Sequence, residues 1–530
     1  MISIFRTCGV SGLRSSLMTL SRRQFLWTAA ASSVCLPALI EAQTVPAGAS
    51  TIFRHGVASG DPLADRVVLW TRVTPAAGAE ARPVEVRWLV ATDETLTRVV
   101  RRGTARTSAE RDFTVKVDVG GLEAGRPYFY AFEVGKERSR VGRTKTLPAA
   151  SDRVRLAHVC CSNYPAGFFN VYACLARNDD LDAVVHVGDY IYEFPNGVYG
   201  DGTSLLRIPE PRREAVTLSD YRIRYATYHT DEDLQAAHAR HPFIAVWDDH
   251  EIANDAWLGG ASNHNPELGE GDWAIRRAAA YRAYLEWMPI RESGQGVHLF
   301  RSFRFGSLAH LVMLDTRGLR DQQVVSTDLA GLVREQRTLL GATQERWLFD
   351  QLRSSHRAGG SWNIIGQQVM FSRLALPGRP VVLADTWDGY QAARDRVLDF
   401  VEKETIRDIA ILSGDIHSSW GFDVTRNPWD GYDAKTGAGA LAVEIVAPAI
   451  SSPPLFNDPI LRAGEPGLRA SLPHLKFLEG ESNGYVLLDI TSKRLQSDWH
   501  FVPTVSKRSD EHTRAISLVC ERGSSRLLSS

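Results

Sequence analysis

The chain is punctuated by short apolar runs that all end in the same way. RLAHV runs into Cys160-Cys161-Ser162-Asn163, AVVHV into Gly188-Asp189-Tyr190-Ile191-Tyr192, and PFIAV into Trp247-Asp248-Asp249-His250-Glu251. HLVML runs into Asp315-Thr316-Arg317 and DIAIL into Ser413-Gly414-Asp415-Ile416-His417. Each run is short, apolar and rich in β-branched residues, the pattern of a strand buried on both faces. Helix-like segments lie between several of them, such as Asp272–Trp287 and Ala342–Ser354. That alternation predicts an α/β layered domain with helices outside buried strands. Ligands of such sheets bind outside the carboxyl ends of the strands, which is where these polar clusters fall.

The part before this alternation has a different texture. From Thr51 to about Leu147 the segments RVVLWTRV, PVEVRWLV, FTVKVDV and PYFYAFEV alternate with period two between turn signals such as Gly60-Asp61-Pro62 and Gly120-Gly121. They predict a small β-sandwich of fibronectin or immunoglobulin type over residues 48–150, with Pro148-Ala149-Ala150-Ser151 as the joint. The α/β domain is expected over 151–506, followed by a polar C-terminal tail over 507–530. Residues 199–216 and 423–439 read as loops that shape the mouth of a site.

Residues 1–47 read as an export signal. Arg22 and Arg23 follow Ser21 and precede Phe25, Leu26 and an apolar stretch too short and too rich in Ala and Ser to span a bilayer. The arginine pair resembles a twin-arginine signal, so a periplasmic or extracellular protein exported by the twin-arginine machinery is expected. Met18 is a second candidate start, and cleavage is expected between Glu41 and Ala49. Four cysteines follow the signal, Cys160, Cys161, Cys174 and Cys520, too few for a disulfide scaffold in a domain of this size. A bridge from Cys160 to Cys174 or Cys520 and a ligand thiolate both stay open. The formal net charge of -1 gives no basis for a nucleic-acid partner or an anionic membrane surface.

One acid at a strand end is an ordinary turn residue. A carboxylate, imidazole, thiol, phenol or guanidinium at strand end after strand end gathers like charges that need neutralising, and metal cations do so directly. Gly188-Asp189-x-x-Tyr192, Asp249-His250-Glu251 and Gly414-Asp415-x-His417 stand in the order of the Gly-Asp-x-x-Asp, Gly-Asn-His-Glu and Gly-His-x-His blocks of calcineurin-like metallophosphoesterases, which they resemble. GDYIYE, VWDDHE, DTWDGYQAARDR and SGDIHSSW look like the PhoD family of alkaline phosphatases and phosphodiesterases, and FRHGVASGDPLADRVVLWTRV looks like its N-terminal domain. The resemblance runs from about Phe53 to Phe501.

That resemblance implies a secreted, metal-dependent hydrolase of phosphate esters that uses ferric iron and calcium and forms no phosphoserine. It implies Tyr192 as a phenolate ligand to Fe(3+), Asp189 as the bridge to a neighbouring ion, and Cys161 as a thiolate on the same iron. Cys160 is the fallback thiol, since the residues flanking Cys161 depart from the family pattern. Asp249, Asp415, His417 and, more weakly, Asn254 are implied as further ligands, with Ca(2+) favoured by their oxygen donors. His250 is implied as the group that stabilises charge or protonates the leaving oxygen, and Arg317 as a holder of a phosphate oxygen or a partner of Asp315 or Asp321. Trp387, Asp388 and Tyr390 read as wall or packing. Strand-end ligands do not separate a monoesterase from a phosphodiesterase or a phospholipase D-like enzyme. A non-catalytic surface binding protein is the alternative from another class.

Overall fold

A computed structural model describes residues 51–530 apart from 77, 79–81, 293–297, 326–327, 361 and 375–382. The export signal expected over residues 1–47 lies outside the described residues.

Two large sheets carry the α/β part. One has ten strands, in the spatial order Leu527–Ser529, Thr513–Glu521, Arg494–Phe501, Gly484–Thr491, Arg153–Val159, Ala183–His186, Pro242–Ala245, Val57–Gly60, Arg66–Arg72 and Thr114–Gly120. The other has seven, in the order Arg301–Phe305, Ala309–Met313, Trp362–Gly366, Ile409–Ser413, Ala440–Val446, Ser419–Thr425 and Leu475–Glu479. The centre of each is parallel, as the buried apolar runs predict: Ala183–His186 lies between Arg153–Val159 and Pro242–Ala245. In the second sheet Ala309–Met313, Trp362–Gly366, Ile409–Ser413 and Ala440–Val446 run side by side in one direction. One continuous core joins them, with Leu156, Val184 and Ile244 of the first sheet in the same cluster as Leu311, Ile364 and Leu412 of the second.

The two helices expected between the strands form at Trp273–Trp287 and Gly341–Arg357. Asp272 starts the first by accepting the Ala274 N–H at its carboxylate, satisfying a donor the helix leaves unpaired. The N-terminal strands form a second layer, Val99–Thr107, Val84–Ala91, Pro127–Val134 and Glu137–Arg138, with Gly142–Lys145 paired to Pro127–Val134. Val86, Val90, Tyr130 and Phe132 of this layer share a core with Val67, Leu69, Val115 and Val119, which makes the sandwich. Strand pairing continues from the sandwich into the larger sheet, because Val57–Gly60 pairs in parallel with Pro242–Ala245.

Two expectations change. The segment expected as a polar tail forms the strands Thr513–Glu521 and Leu527–Ser529 at the edge of the ten-stranded sheet, where Leu518, Val519 and Cys520 of the first are buried. All four cysteines among the described residues are free and buried, so neither bridge open to Cys160 is made. No helix among the described residues is long and apolar enough to cross a membrane.

His158 and His186 lie on adjacent parallel strands, one register step apart, both fully buried, and neither ring nitrogen of His158 has a hydrogen-bond partner. Burial, reinforced by His186, lowers the His158 pKa to about 3. A histidine held neutral in the fold but free to protonate when unfolded makes the unfolded state bind more protons below about pH 6.5, so stability falls as pH drops from there towards 3. His158→Leu should therefore flatten the loss of stability between pH 7 and pH 5 by on the order of 2 kcal/mol, read from urea midpoints at the two pH values.

Candidate metal centre

The carboxyl ends of the parallel strands of both sheets converge. After Val159 the chain turns through Cys161, after His186 through Asp189, and after Ser413 through Asp415 and His417, and all four turn residues take left-handed φ values of 61°, 57°, 65° and 54°. Non-glycine residues rarely sit there, and doing so costs on the order of 1 kcal/mol each, tolerated where surrounding contacts fix the turn. Those contacts are visible. The Cys161 N–H donates to the Gly188 carbonyl at 3.1 Å and the Ser162 N–H to the Asp189 carbonyl at 2.8 Å. Buried Glu251 accepts the N–H groups of Asp189, Tyr190 and Asp248 at 3.1, 2.7 and 2.8 Å, tying two strand ends to one carboxylate. Gly188, at φ 116°, lets the loops close: a Cβ there would lie 2.4 Å from the Asp248 Cβ.

Three overlapping groups of donor atoms result, each with its atoms within 4.8 Å of one another: Cys161, Asp189 and His417; Asp189, Asp249 and His250; and Asp248, Asp249 and Asp415. Asp189 and Asp249 are shared between groups. The Tyr192 hydroxyl joins the first group, donating to Asp189 Oδ2 at 2.8 Å and lying 3.0 Å from His417 Nε2 and 2.7 Å from Ser452 Oγ. Asp189 Oδ1 is buried without a hydrogen-bond donor, and Asp249 Oδ1 has only an ion pair with Arg317 at 3.3 Å, which is costly unless a further cation sits there. The donor set, thiol, carboxylates, phenol and imidazole, fits metal ions.

Charge supports the same reading. Arg317 is fully buried and donates from Nε to Asp248, from Nη1 to Asp385 at 2.8 Å and from Nη2 to Asp415 at 2.9 Å, with Asp249 at 3.3 Å. Buried Arg320 pairs with Asp385 as well, at 2.6 Å, yet the carboxylates still outnumber the guanidiniums. Burial, with Asp249, Asp189 and their neighbours, holds Asp248 and Asp415 well above the usual carboxylate range in spite of Arg317. Burial likewise pushes the Cys161 thiol and the Tyr192 phenol well up, aided by Asp189, so both stay protonated unless a cation draws the proton off.

His250 stands at the edge of this cluster. Its Nδ1 lies 2.8 Å from Glu193 Oε2, while Glu193 Oε1 is fixed by the Asn254 N–H and Asn263 Nδ2, both at 2.8 Å. Burial opposes a charged imidazole, but Glu193, Asp249 and Asp189 outweigh it and keep His250 well above its ordinary pKa.

Most residues expected from sequence meet here; others do not. Cys160 belongs to none of the donor groups: its Sγ lies against the Ala447 and Pro448 carbonyls at 3.8 and 3.7 Å and close behind Gly414. Asn254 gives its side-chain amide to Ser262 Oγ at 2.6 Å. Arg317, expected to hold phosphate, spends its donors on the carboxylates. Its expected partners are engaged elsewhere, Asp315 Oδ1 by the N–H groups of Arg317 and Gly318 and Asp321 by the Thr338 N–H. Trp387 packs in the core and Asp388 caps the Leu374 N–H, as packing residues do. Glu193, Asp248 and Asp385 lie inside the motifs, but their spacing does not mark them as site residues. Ser452 and Tyr199 carry no local signal.

Comparison with known proteins settles the lineage. Residues 156–499 match the family described as PhoD-like phosphatase, and residues 40–148 match the PhoD-like phosphatase N-terminal domain. The chain belongs to the PhoD-like phosphatase family. It is 37% identical over 486 residues to alkaline phosphatase D of Bacillus subtilis (strain 168), covering 88% of this chain and 80% of that protein. A solved structure described as the structure of PhoD superposes with a TM-score of 0.81 at 34% identity, covering 92% of this chain and 93% of the other. The protein is a metal-dependent phosphatase, a hydrolase of phosphate esters, on an α/β layered fold with a β-rich N-terminal domain.

Because the Gly188 turn admits no side chain, Gly188→Ala should cost about 2–4 kcal/mol of stability and reduce phosphatase activity at least tenfold in the folded fraction. Thermal unfolding and turnover of a chromogenic phosphate ester check both.

Proposed function

We propose that this protein is an exported phosphomonoesterase of the alkaline phosphatase type whose centre holds Fe(3+) beside Ca(2+). The observation that carries the reading is the Tyr192 hydroxyl, set among Cys161, His417 and the orphaned Asp189 carboxylate oxygen. A buried phenol and a buried thiol at one point suit a trivalent ion that stabilises both anions. Cys161, Asp189 and Tyr192 would hold the iron, with Asp189 shared. His417 would join them on the iron, and Asp249 and Asp415 would serve the neighbouring positions, where hard oxygen donors suit calcium. Asn254 is the weakest of the expected ligands, since its amide is already bonded to Ser262. When bound, such ions polarise the phosphate and supply the attacking oxygen at neutral or alkaline pH.

The chain's own residues do the rest. Arg317 balances the carboxylates internally and so fixes the orientation of Asp248 and Asp415. Glu193 holds His250 by Nδ1, which leaves Nε2 to donate a proton to the leaving oxygen as the P–O bond breaks. Without that proton an alkoxide would have to leave unassisted.

The test is the visible spectrum and metal content of the purified protein. A charge-transfer band should be present, should vanish in Tyr192→Phe, and should be lost with the iron in Cys161→Ser but kept in Cys160→Ser. A colourless wild type holding zinc or magnesium alone would sink the iron assignment. Turnover of a phosphomonoester should exceed that of a bis-substituted ester at least tenfold; the reverse order would make the protein a phosphodiesterase or a phospholipase D-like enzyme.

Export rests on the Ser21-Arg22-Arg23 segment and the apolar stretch behind it. Replacing Arg22 and Arg23 together by Lys should leave the protein in the cytoplasm and empty the periplasmic or extracellular fraction, read by cell fractionation. Unchanged export would rule out the twin-arginine route.

A further inference from the structure

Tyr199 belongs to none of the sequence motifs and to none of the three donor groups, yet its hydroxyl lies 2.7 Å from Nδ1 of His417. Its ring faces the centre, 5.9 Å from the His417 ring, 5.7 Å from that of Tyr192, and stacked at 6.2 Å on His250 with an interplanar angle of 14°. The side chain is held there from its backbone. The Tyr199 carbonyl accepts Asn163 Nδ2 at 2.5 Å, and the Asn163 carbonyl accepts Ser451 Oγ at 2.9 Å. Asn163 stands two residues after Cys161, so the turn that delivers the thiol also anchors Tyr199. The Gly197 N–H closes onto the Gly200 carbonyl at 2.9 Å, and Gly200, at φ 106°, packs against Ala166, which fixes the turn that presents the ring.

An imidazole that binds an ion through one nitrogen carries its proton on the other, and the partner of that proton sets which way the ring faces. In His417 it is Nε2 that looks into the centre, 3.0 Å from the Tyr192 hydroxyl and 3.8 Å from Asp189 Oδ2. Nδ1 looks out, and Tyr199 is the hydrogen-bond partner given to it among the described residues. A phenol oxygen accepts Nδ1–H and leaves the Nε2 lone pair free for the ion. His417 is itself in a left-handed backbone conformation, φ 54°, so its ring needs an external brace.

We propose that Tyr199 is a positioning residue for the metal centre: by accepting the Nδ1–H of His417 it fixes the tautomer and direction in which Nε2 meets the ion. This rests on the reading of His417 as a metal ligand. Tyr199 acts through His417 and need not touch the phosphate.

The experiment compares metal-loaded full-length wild type, Tyr199→Phe and His417→Asn. Tyr199→Phe removes one oxygen and keeps the ring. Release of bound metal to excess EDTA should be about 10- to 100-fold faster in Tyr199→Phe than in wild type, following the usual effect of losing an outer-shell partner. kcat should fall with KM within about twofold, and the metal-stripped proteins should melt at the same temperature. Wild-type release from Tyr199→Phe together with fast release from His417→Asn overturns the proposal alone. Wild-type release from His417→Asn overturns the ligand reading beneath it as well. A raised KM with metal release unchanged would make Tyr199 a substrate contact and also overturn the proposal. Equal loss of melting temperature in the stripped Tyr199→Phe protein would mark the hydroxyl as a packing element, with the same consequence.

Discussion

The structure depends on one imbalance of charge. Asp189, Asp248, Asp249, Asp385 and Asp415 meet at the ends of two sheets, with the fully buried Arg317 among four of them and Arg320 paired to Asp385. A cluster with too few positive charges in a low-dielectric interior is unstable unless ions enter it. The Asp189 oxygen buried without a donor marks the point where that deficit is felt most, beside an Asp249 oxygen that has only its 3.3 Å ion pair with Arg317. The phosphatase chemistry of the family uses the same deficit, since ions drawn in by the carboxylates are then available to a phosphate.

Holding such a cluster open takes rigidity behind it. The two sheets, parallel at their centres, supply that rigidity through a common core, and Glu251 and the Gly188 turn convert it into fixed loop positions. Left-handed backbone at Cys161, Asp189, Asp415 and His417 is the cost, borne where several loops over-determine each other. Behind His250, the carboxylate of Glu193 is in turn held by Asn254 and Asn263. The site is layered: residues that face the centre are each oriented by a residue that does not.

How far this was legible follows from that layering. The buried strands announced themselves as short apolar runs, because a parallel strand covered on both faces has no polar side to alternate with. The residues directly after them could be read as donors, because a strand end is a fixed place in the fold. The supporting residues are harder. Glu193, Asp248 and Asp385 lay inside motifs already in use, but nothing in their spacing separates a side chain that faces the centre from one that braces it. Tyr199 and Ser452 reach the centre from loops remote in sequence, with no period or motif to point to them. The strands beyond Lys507 carry only a short apolar run, Leu518-Val519-Cys520, among charged and polar residues, and that run is buried only once Arg494–Phe501 is beside it.

Sequence alone therefore determined the α/β layering, the sandwich before it, the family and the chemical types gathered at the strand ends, since these follow from local pattern and order along the chain. Tertiary structure decided which thiol of the Cys160-Cys161 pair faces the centre, and that Arg317 answers carboxylates where a phosphate contact was expected. It also decided that Tyr199 stands over His417. Which of two neighbouring thiols joins Asp189 and His417 depends on the turn that carries them, and a guanidinium bonds whatever the fold brings within about 3 Å of it. Neither fact is written in one dimension.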